Sequence, residues 1–381
     1  MLIRKKKILV FTDWYEPGFR AGGPIRSCVN FAENMKDAYE IFVFTTDCDL
    51  GAAEPYLDVE CDKWIKSNGI NVLYASSTYL SFKNIKIHIK CIDPDYMYCN
   101  SMYSHYFSIY PLLIMWLRLT NSALVLAPRG MLKKTALQFK TTKKRIFLLC
   151  FKLLGIHKKI IFHATDETEK TDIKKIFGEN VECKQILNFP SAQKPLIDYI
   201  EKQKQTLKII FIGRIHPIKN LLLLLNHIKL LKSVVVFTIV GAIEDKDYWQ
   251  ECRQLIQLLP SNIQVIFKES VPNDAIKNLI TDHHIFASPT EGENFGHAIF
   301  EALSVGRPVL ISDQTPWRNL EQNTAGWDLP LNNSKEFIRV LNMVADMDNE
   351  IYQLWSKGAW QLAHDFITKS DLKNQYLKLF S

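Results

Sequence analysis

Pro289-Thr-Glu-Gly-Glu-Asn-Phe-Gly-His-Ala-Ile-Phe-Glu-Ala-Leu303 decides how this chain is read. Just before it, His284-Ile-Phe-Ala-Ser288 is a short apolar run that stops at a Pro-Thr turn, as a buried parallel strand does. After Gly296, residues Ile299, Phe300, Leu303 and Val305 recur at helical spacing. Asn294, Phe295 and Gly296 are therefore expected at a strand-to-helix junction, where N–H groups lack intrahelical partners and the helix dipole is positive. Such a junction holds anions. Glu293 falls in the loop and Glu301 about two turns into the helix, so both carboxylates can line one cleft. The ligand this predicts carries a phosphate together with hydroxyl groups.

Two further segments point the same way. Ile210-Phe-Ile-Gly213-Arg214-Ile-His216-Pro-Ile-Lys219-Asn220 ends a strand and opens a leucine-rich helix. An Arg at a strand's carboxyl end and a Lys one turn later can clamp two phosphates. In the first half, Trp14-Tyr-Glu-Pro17 and Ala21-Gly22-Gly23-Pro24-Ile-Arg26 follow the first strand. The paired glycines let backbone N–H groups approach a ligand at the start of a helix.

Together these segments resemble the nucleotide-sugar motif of the family 4 glycosyltransferases. The resemblance implies the GT-B fold: α/β, with two Rossmann-like doubly wound domains facing a central cleft. It implies that Glu293 contacts the sugar, that Asn294, Phe295, Gly296 and His297 cradle the diphosphate, and that Glu301 holds the ribose. Gly306-Arg-Pro-Val-Leu-Ile-Ser-Asp313 fits the family's following strand. Arg214 and Lys219 match its Gly-Arg-x5-Lys segment with one residue fewer between them, and Gly22 and Gly23 match its glycine-rich loop near the donor phosphates. Many members place a basic or His residue beside the transferred sugar. Arg129, in Ala127-Pro-Arg129-Gly130-Met-Leu132, is the candidate for that role, with His163 at the end of a later strand as a second. His105 and the pair His283-His284 read as structural. The resemblance is strong over 207–330, moderate over 8–30 and 123–190, and thin over 50–110.

The function implied is retaining transfer of a hexose-type sugar from a UDP- or GDP-linked donor to a glycan or polyprenyl-diphosphate-linked acceptor. The pathway implied is assembly of a surface polysaccharide such as O-antigen or capsule. The nucleoside diphosphate sugar is a co-substrate, and no cofactor or metal is expected: Asp93-Pro-Asp95 has the letters of a metal motif without its context. Two other classes stay open. A sugar-nucleotide epimerase or hydrolase on the same scaffold would need no acceptor. A noncatalytic membrane-surface module would leave every nucleotide sugar intact.

Composition fits this reading. A chain of 381 residues exceeds one typical core, and 47% hydrophobic with 23% charged residues excludes a disordered chain. The eight cysteines show no metal or disulfide spacing, which predicts reduced thiols and a cytoplasmic setting. Arg4-Lys-Lys-Lys7 precedes an apolar stretch too short for a secretory signal, and 107–117 is far below the roughly 20 residues needed to cross a bilayer. Apolar runs at 8–12, 41–45, 71–74, 85–91, 123–127 and 160–164, then 207–212, 234–240, 263–267, 285–288 and 309–312, predict strands of two parallel sheets. The expected division is 1–190 for the acceptor, 191–206 as linker, 207–349 for the nucleotide sugar, and 350–381 as helices crossing back.

Charge is uneven. Residues 1–187 hold 27 Lys/Arg against 19 Asp/Glu, and 188–381 hold 20 against 21. Between 118 and 159 there are eleven basic residues and no acidic one. A basic amphipathic helix within 133–159 predicts peripheral contact with the cytoplasmic face of the inner membrane. No helix-turn-helix, zinc or RNA-recognition pattern accompanies it, so nucleic acid is not an expected partner.

Overall fold

The computed structural model describes residues 4–133, 137, 141–193, 195–196 and 200–381. The chain divides into two compact units, 1–189 with 371–381, and 190–370.

The first unit is built on an eight-stranded sheet in the order β3-β4-β2-β1-β5-β6-β7-β8. Its strands are β1 (Lys7–Phe11), β2 (Glu40–Thr46), β3 (Trp64–Ser67), β4 (Ile70–Ala75), β5 (Tyr96–Cys99), β6 (Ala123–Leu126), β7 (Ile161–Ala164) and β8 (Cys183–Gln185). Every pairing is parallel except β3 with β4. Parallel strands covered on both faces read as continuous apolar runs, and Ile8, Leu9, Val10 and Phe11 are all fully buried. The helices are α1 (Gly23–Met35), α2 (Phe82–Ile92), α3 (Tyr110–Trp116), α4 (Thr141–Leu153) and α5 (Glu167–Phe177).

Residues 85–91 are helical, not a strand. Ile85-Lys-Ile-His-Ile-Lys alternates as a strand would, but Ser81 accepts from Asn84 N as an N-cap and Ile85, Ile89 and Ile92 share the buried face. The strand that pairs with β1 is instead Tyr96–Cys99.

The second unit has a six-stranded parallel sheet in the order β11-β10-β9-β12-β13-β14. These are β9 (Thr206–Ile212), β10 (Val234–Val240), β11 (Ile263–Lys268), β12 (Ile285–Ser288), β13 (Val309–Ser312) and β14 (Gly326–Leu329). Around it lie α6 (Leu221–Ile228), α7 (Lys246–Gln257), α8 (Asn273–Thr281), α9 (His297–Ser304), α10 (Ser334–Asp346) and α11 (Asn349–Lys369). Leu207, Ile209 and Phe211 bury one face of β9 under Leu221, Leu224 and Ile228, while Ile210 joins Phe300 and Leu303 on the other. α11 remains in this unit: Tyr352, Ser356, Ala359 and Ala363 are buried, and Ser356 Oγ donates to Gly306 O at 2.6 Å. The helix after it, α12 (Leu372–Leu379), belongs to the first unit.

Candidate functional site

Among the parallel strands of each sheet the order reverses at one point. The reversal lies between β9 and β12 in the second unit and between β1 and β5 in the first. Ligands of doubly wound sheets bind outside the carboxyl ends of the strands at such a reversal.

In the second unit the loops after β9 and β12 meet there. Pro217–Lys219 forms one 3₁₀ turn, with His216 Nδ1 accepting from Ile218 N at 3.2 Å. Glu291 N donates to Ile218 O at 2.8 Å and Thr290 Oγ1 donates to the same oxygen at 3.1 Å, which ties the two loops together. Lys219 lies along Gly213, where an added Cβ would stand 3.7 Å from its Cδ. Its Nζ pairs with Glu293 Oε1, and the two side chains are only 15% and 22% exposed. Glu293 N donates to Gln314 O at 3.1 Å, which fixes the loop from its other side. Arg214 turns to Glu244, with Nη1 to Oε2 at 2.7 Å, and this pair is about 40% exposed.

The helix that follows starts at a residue in the left-handed region. Gly296 has φ +75°, a conformation that favours glycine, and a Cβ there would stand 2.7 Å from Ile299 Cδ1. Phe300 N donates to Gly296 O at 3.0 Å. Phe295 is buried, and its carbonyl accepts from Trp317 Nε1 at 2.6 Å. The buried His297 ring lies 4.8 Å from that of Phe295. Asn294 is half-buried and Glu301 buried within α9. The two glutamates thus sit at different depths, Glu293 on the loop against Lys219 and Glu301 in the helix.

In the first unit, Gly22 caps α1 with φ +63° and Gly23 is its first residue, with Pro24 beside it. Asp49 accepts from Phe19 N at 2.8 Å and Arg20 N at 3.0 Å, which shapes the approach to that turn. At the reversal itself, Ser104 Oγ donates to Asp13 Oδ1 at 2.7 Å, and burial raises the Asp13 pKa.

Arg129, at φ +55°, is fully engaged. Its Nε donates to Asn100 Oδ1 at 2.6 Å, Nη1 to Asn188 Oδ1 and Nη2 to Tyr98 OH at 2.7 Å. Since the guanidinium occupies the phenol oxygen as an acceptor, Tyr98 is left to donate to His163 Nδ1 at 2.8 Å. His163 Nε2 faces Ile186 O at 2.8 Å and so carries the ring proton. Burial, helped by the Arg129 charge, lowers the His163 pKa to about 3. His163 is therefore a neutral, enclosed ring with both nitrogens used, and it holds Tyr98 and the strand-end segment rather than facing a ligand. Glu169 supports the same turn, accepting from Gly130 N at 2.6 Å and Thr165 N at 2.8 Å.

Sequence reading did not single out Glu244, Asp13 or Ser104. The signal for Asp13 and Glu244 was position, since both follow the carboxyl ends of strands that apolar runs mark, whereas Ser104 follows Tyr96–Cys99, which no apolar run marks.

Residues 194–359 match the family described as Glycosyl transferases group 1. A comparison with curated proteins finds no match. Among solved structures, HepE (Alr3699) of Anabaena in complex with UDP-glucose superposes with TM-score 0.69 at 16% identity, over 98% of this chain and 99% of that one. Sucrose-phosphate synthase of Thermosynechococcus elongatus gives 0.70 at 14% identity, over 99% and 98%. WaaG, a glycosyltransferase involved in lipopolysaccharide biosynthesis, gives 0.65 at 14%, over 98% of each chain. At such identities the likeness establishes the fold. The chain has the GT-B fold of two Rossmann-like α/β domains, with a glycosyl transferases group 1 domain over 194–359.

Proposed function

We propose that the protein is a retaining, family 4-type glycosyltransferase that moves a hexose-type sugar from a nucleoside diphosphate to a glycan acceptor. The observation that carries this is the Lys219–Glu293 pair at the sheet reversal inside the matched domain. There a cation for phosphate stands directly beside a carboxylate for sugar hydroxyls. Arg214 and Lys219 would take the diphosphate, with the segment from Asn294 to His297 that leads into α9 adding its N–H groups. Glu293 would orient the sugar and Glu301 the ribose. In the reaction the bond from anomeric carbon to diphosphate oxygen breaks and a bond to the acceptor oxygen forms on the same face. The acceptor proton passes to the departing phosphate oxygen. Charge growing on the diphosphate is met by Arg214, Lys219 and the helix start. Gly22 and Gly23 in the first unit are proposed donor contacts, and Arg129 is proposed to act beside the sugar.

The donor base is proposed as uridine or guanosine, and the acceptor as a polyprenyl-diphosphate-linked glycan of a surface polysaccharide such as O-antigen or capsule. An anionic, membrane-confined acceptor suits the basic face of the first unit, and a cytoplasmic enzyme lying peripherally on the inner membrane is the setting proposed. Among the described residues no helix is long and apolar enough to cross a membrane. Within 133–159, residues 134–136 and 138–140 lie outside the described residues. A panel of nucleotide sugars screened by thermal shift tests the reading first. A ligand at 100 times its dissociation constant adds about 2.7 kcal/mol to stability. Absence of any shift across UDP- and GDP-sugars would remove the proposal. Release of free sugar at the same rate with and without acceptor glycans would turn it into a hydrolase.

A further inference from the structure

The Arg214–Glu244 pair is built by the backbone as well as by charge. Gly213 N donates to Val240 O at 3.0 Å and Ile215 N to Ala242 O at 2.8 Å. Glu244 N and Asp245 N both donate to Ile215 O, at 3.2 and 3.1 Å, and Ile215 and Ile243 form an isolated parallel bridge. The two loops approach so closely that a Cβ on Gly241 would stand 1.9 Å from Gly213 O. Asp245 then caps α7 by accepting from Tyr248 N at 3.0 Å, and Tyr248 OH accepts from Leu222 N at 2.9 Å in α6. The segment that presents Glu244 is thus pinned to the segment that presents Arg214. Their side chains meet because the loops after β9 and β10 are zipped together.

We propose that Glu244 is a built-in competitor of the diphosphate for Arg214. It occupies the guanidinium in the ligand-free site, yields it when a nucleoside diphosphate binds, and takes it back as the product leaves. The proposal rests on reading Arg214 as a phosphate contact. A guanidinium offers five N–H donors in a fork that suits phosphate oxygens, whereas the carboxylate engages it here through Nη1. The pair is half in solvent, where ion pairs are weak, so the phosphate wins the exchange while Glu244 lowers the net affinity. Glu244 touches no reacting atom. It acts through Arg214 as a positioning residue that speeds product release.

Calorimetry with UDP and GDP on the full chain tests this, using wild type, Glu244→Gln, Arg214→Ala and the double variant. Glu244→Gln should bind the nucleoside diphosphate about 1.4- to 5-fold more tightly, the range an exposed ion pair supports. Its dissociation in stopped flow should slow by a similar factor, with the urea midpoint unchanged. Arg214→Ala should bind more weakly, and adding Glu244→Gln to it should change nothing further. The direction of the effect separates the roles. A carboxylate that merely holds Arg214 in place would weaken binding when removed, and that result, or equal binding by Glu244→Gln and wild type, overturns the proposal. If Arg214→Ala binds as wild type does, or wild type binds neither nucleotide, the phosphate reading of Arg214 fails and the competitor falls with it.

Discussion

Glu293 and Glu301 were expected to share one lining, but they differ in surroundings and should differ in effect. Glu293 is held on a loop by Gln314 O and pairs with Lys219, and its proposed role is to orient the sugar. Glu301 is buried in the rigid α9. Glu293→Gln is therefore expected to lower turnover with little change in donor affinity, and Glu301→Gln to raise KM for the donor with turnover largely kept. Steady-state kinetics on the two variants would show the split, and the reversed pattern would exchange the assignments. A second residue-scale prediction concerns Lys202, which is buried with Nζ donating to Gln203 O at 2.7 Å, Ala345 O at 2.9 Å and Met347 O at 3.2 Å. It thereby caps the carboxyl end of α10. Burial lowers its pKa from 10.5 to about 8, although Asp346 and Asp348 oppose the shift. The neighbouring His284 stays uncharged, its own pKa lowered to about 3 by burial and by Lys202. Between pH 8 and 10.5 the unfolded chain binds more protons at this site than the folded chain, so stability rises with pH across that window. Below pH 8 both states are charged and the penalty of burying the ammonium stays constant. Urea unfolding of wild type minus Lys202→Met should isolate this rise; parallel pH profiles for the two proteins would refute it.

At the scale of elements, α4 shows two faces. Phe147, Leu148 and Phe151 pack into the first unit's core, as an amphipathic helix requires. On the outside Ile146, Leu149 and Leu153 are 58%, 57% and 78% exposed, among Lys143, Arg145 and Lys152. Trp116 Nε1 donates to Leu154 O at 3.0 Å, which brings exposed Leu117 and Arg118 towards the same surface. An apolar stripe rimmed by cations suits an anionic bilayer, each cation adding about 1 kcal/mol at low salt. Vesicles with anionic lipid are expected to sediment the protein at low salt and release much of it at high salt. Replacing Ile146, Leu149 and Leu153 together with Ser should abolish sedimentation even with every lysine retained. Unchanged sedimentation by that variant would leave α4 a solvated face. The same scale shows what the sequence made legible. Apolar runs such as 234–240 and 309–312 announced their strands, because buried parallel strands need such runs. Tyr96-Met-Tyr-Cys99 did not, since two of its residues are tyrosines that serve as hydrogen-bond partners and ring contacts. Ile85–Cys91 misled because alternation and helical spacing coincide at Ile85 and Ile89, whereas buried Ile92, off the alternation, and the Ser81 cap mark the helix. In the candidate site, loop residues beside glycines were singled out from spacing and from the family resemblance. The Arg214–Glu244 and Arg129–Tyr98–His163 contacts were not, because each joins loops or strand ends far apart in the chain.

At the scale of the molecule, the first unit is completed from across the chain, by residues 371–381. α12 places Tyr376 and then Phe380 against α1 and β5. Phe31 lies 5.6 Å from Tyr376 and 5.7 Å from Phe380, and Tyr98 lies 5.7 Å from Phe380. Tyr39 OH donates to Phe380 O at 3.1 Å and Tyr96 OH to Ser381 O at 2.8 Å. Tyr376 stacks on Phe189 at 4.4 Å and meets the His163 ring edge-on at 5.3 Å. The tail therefore covers the network that holds Arg129, so its packing and the conformation of that side chain should fail together. Phe380 is fully buried, and truncating a buried Phe to Ala costs about 3–5 kcal/mol. Phe380→Ala is thus expected to destabilise the first unit by that order. Native-state hydrogen exchange should show lost protection in β1, β5 and α1, with β9, β10 and β12 of the second unit keeping theirs. Loss spread evenly over both sheets would mean that the two units unfold as one, and retained protection in β1 would mean that the aromatic cluster holds without its last member.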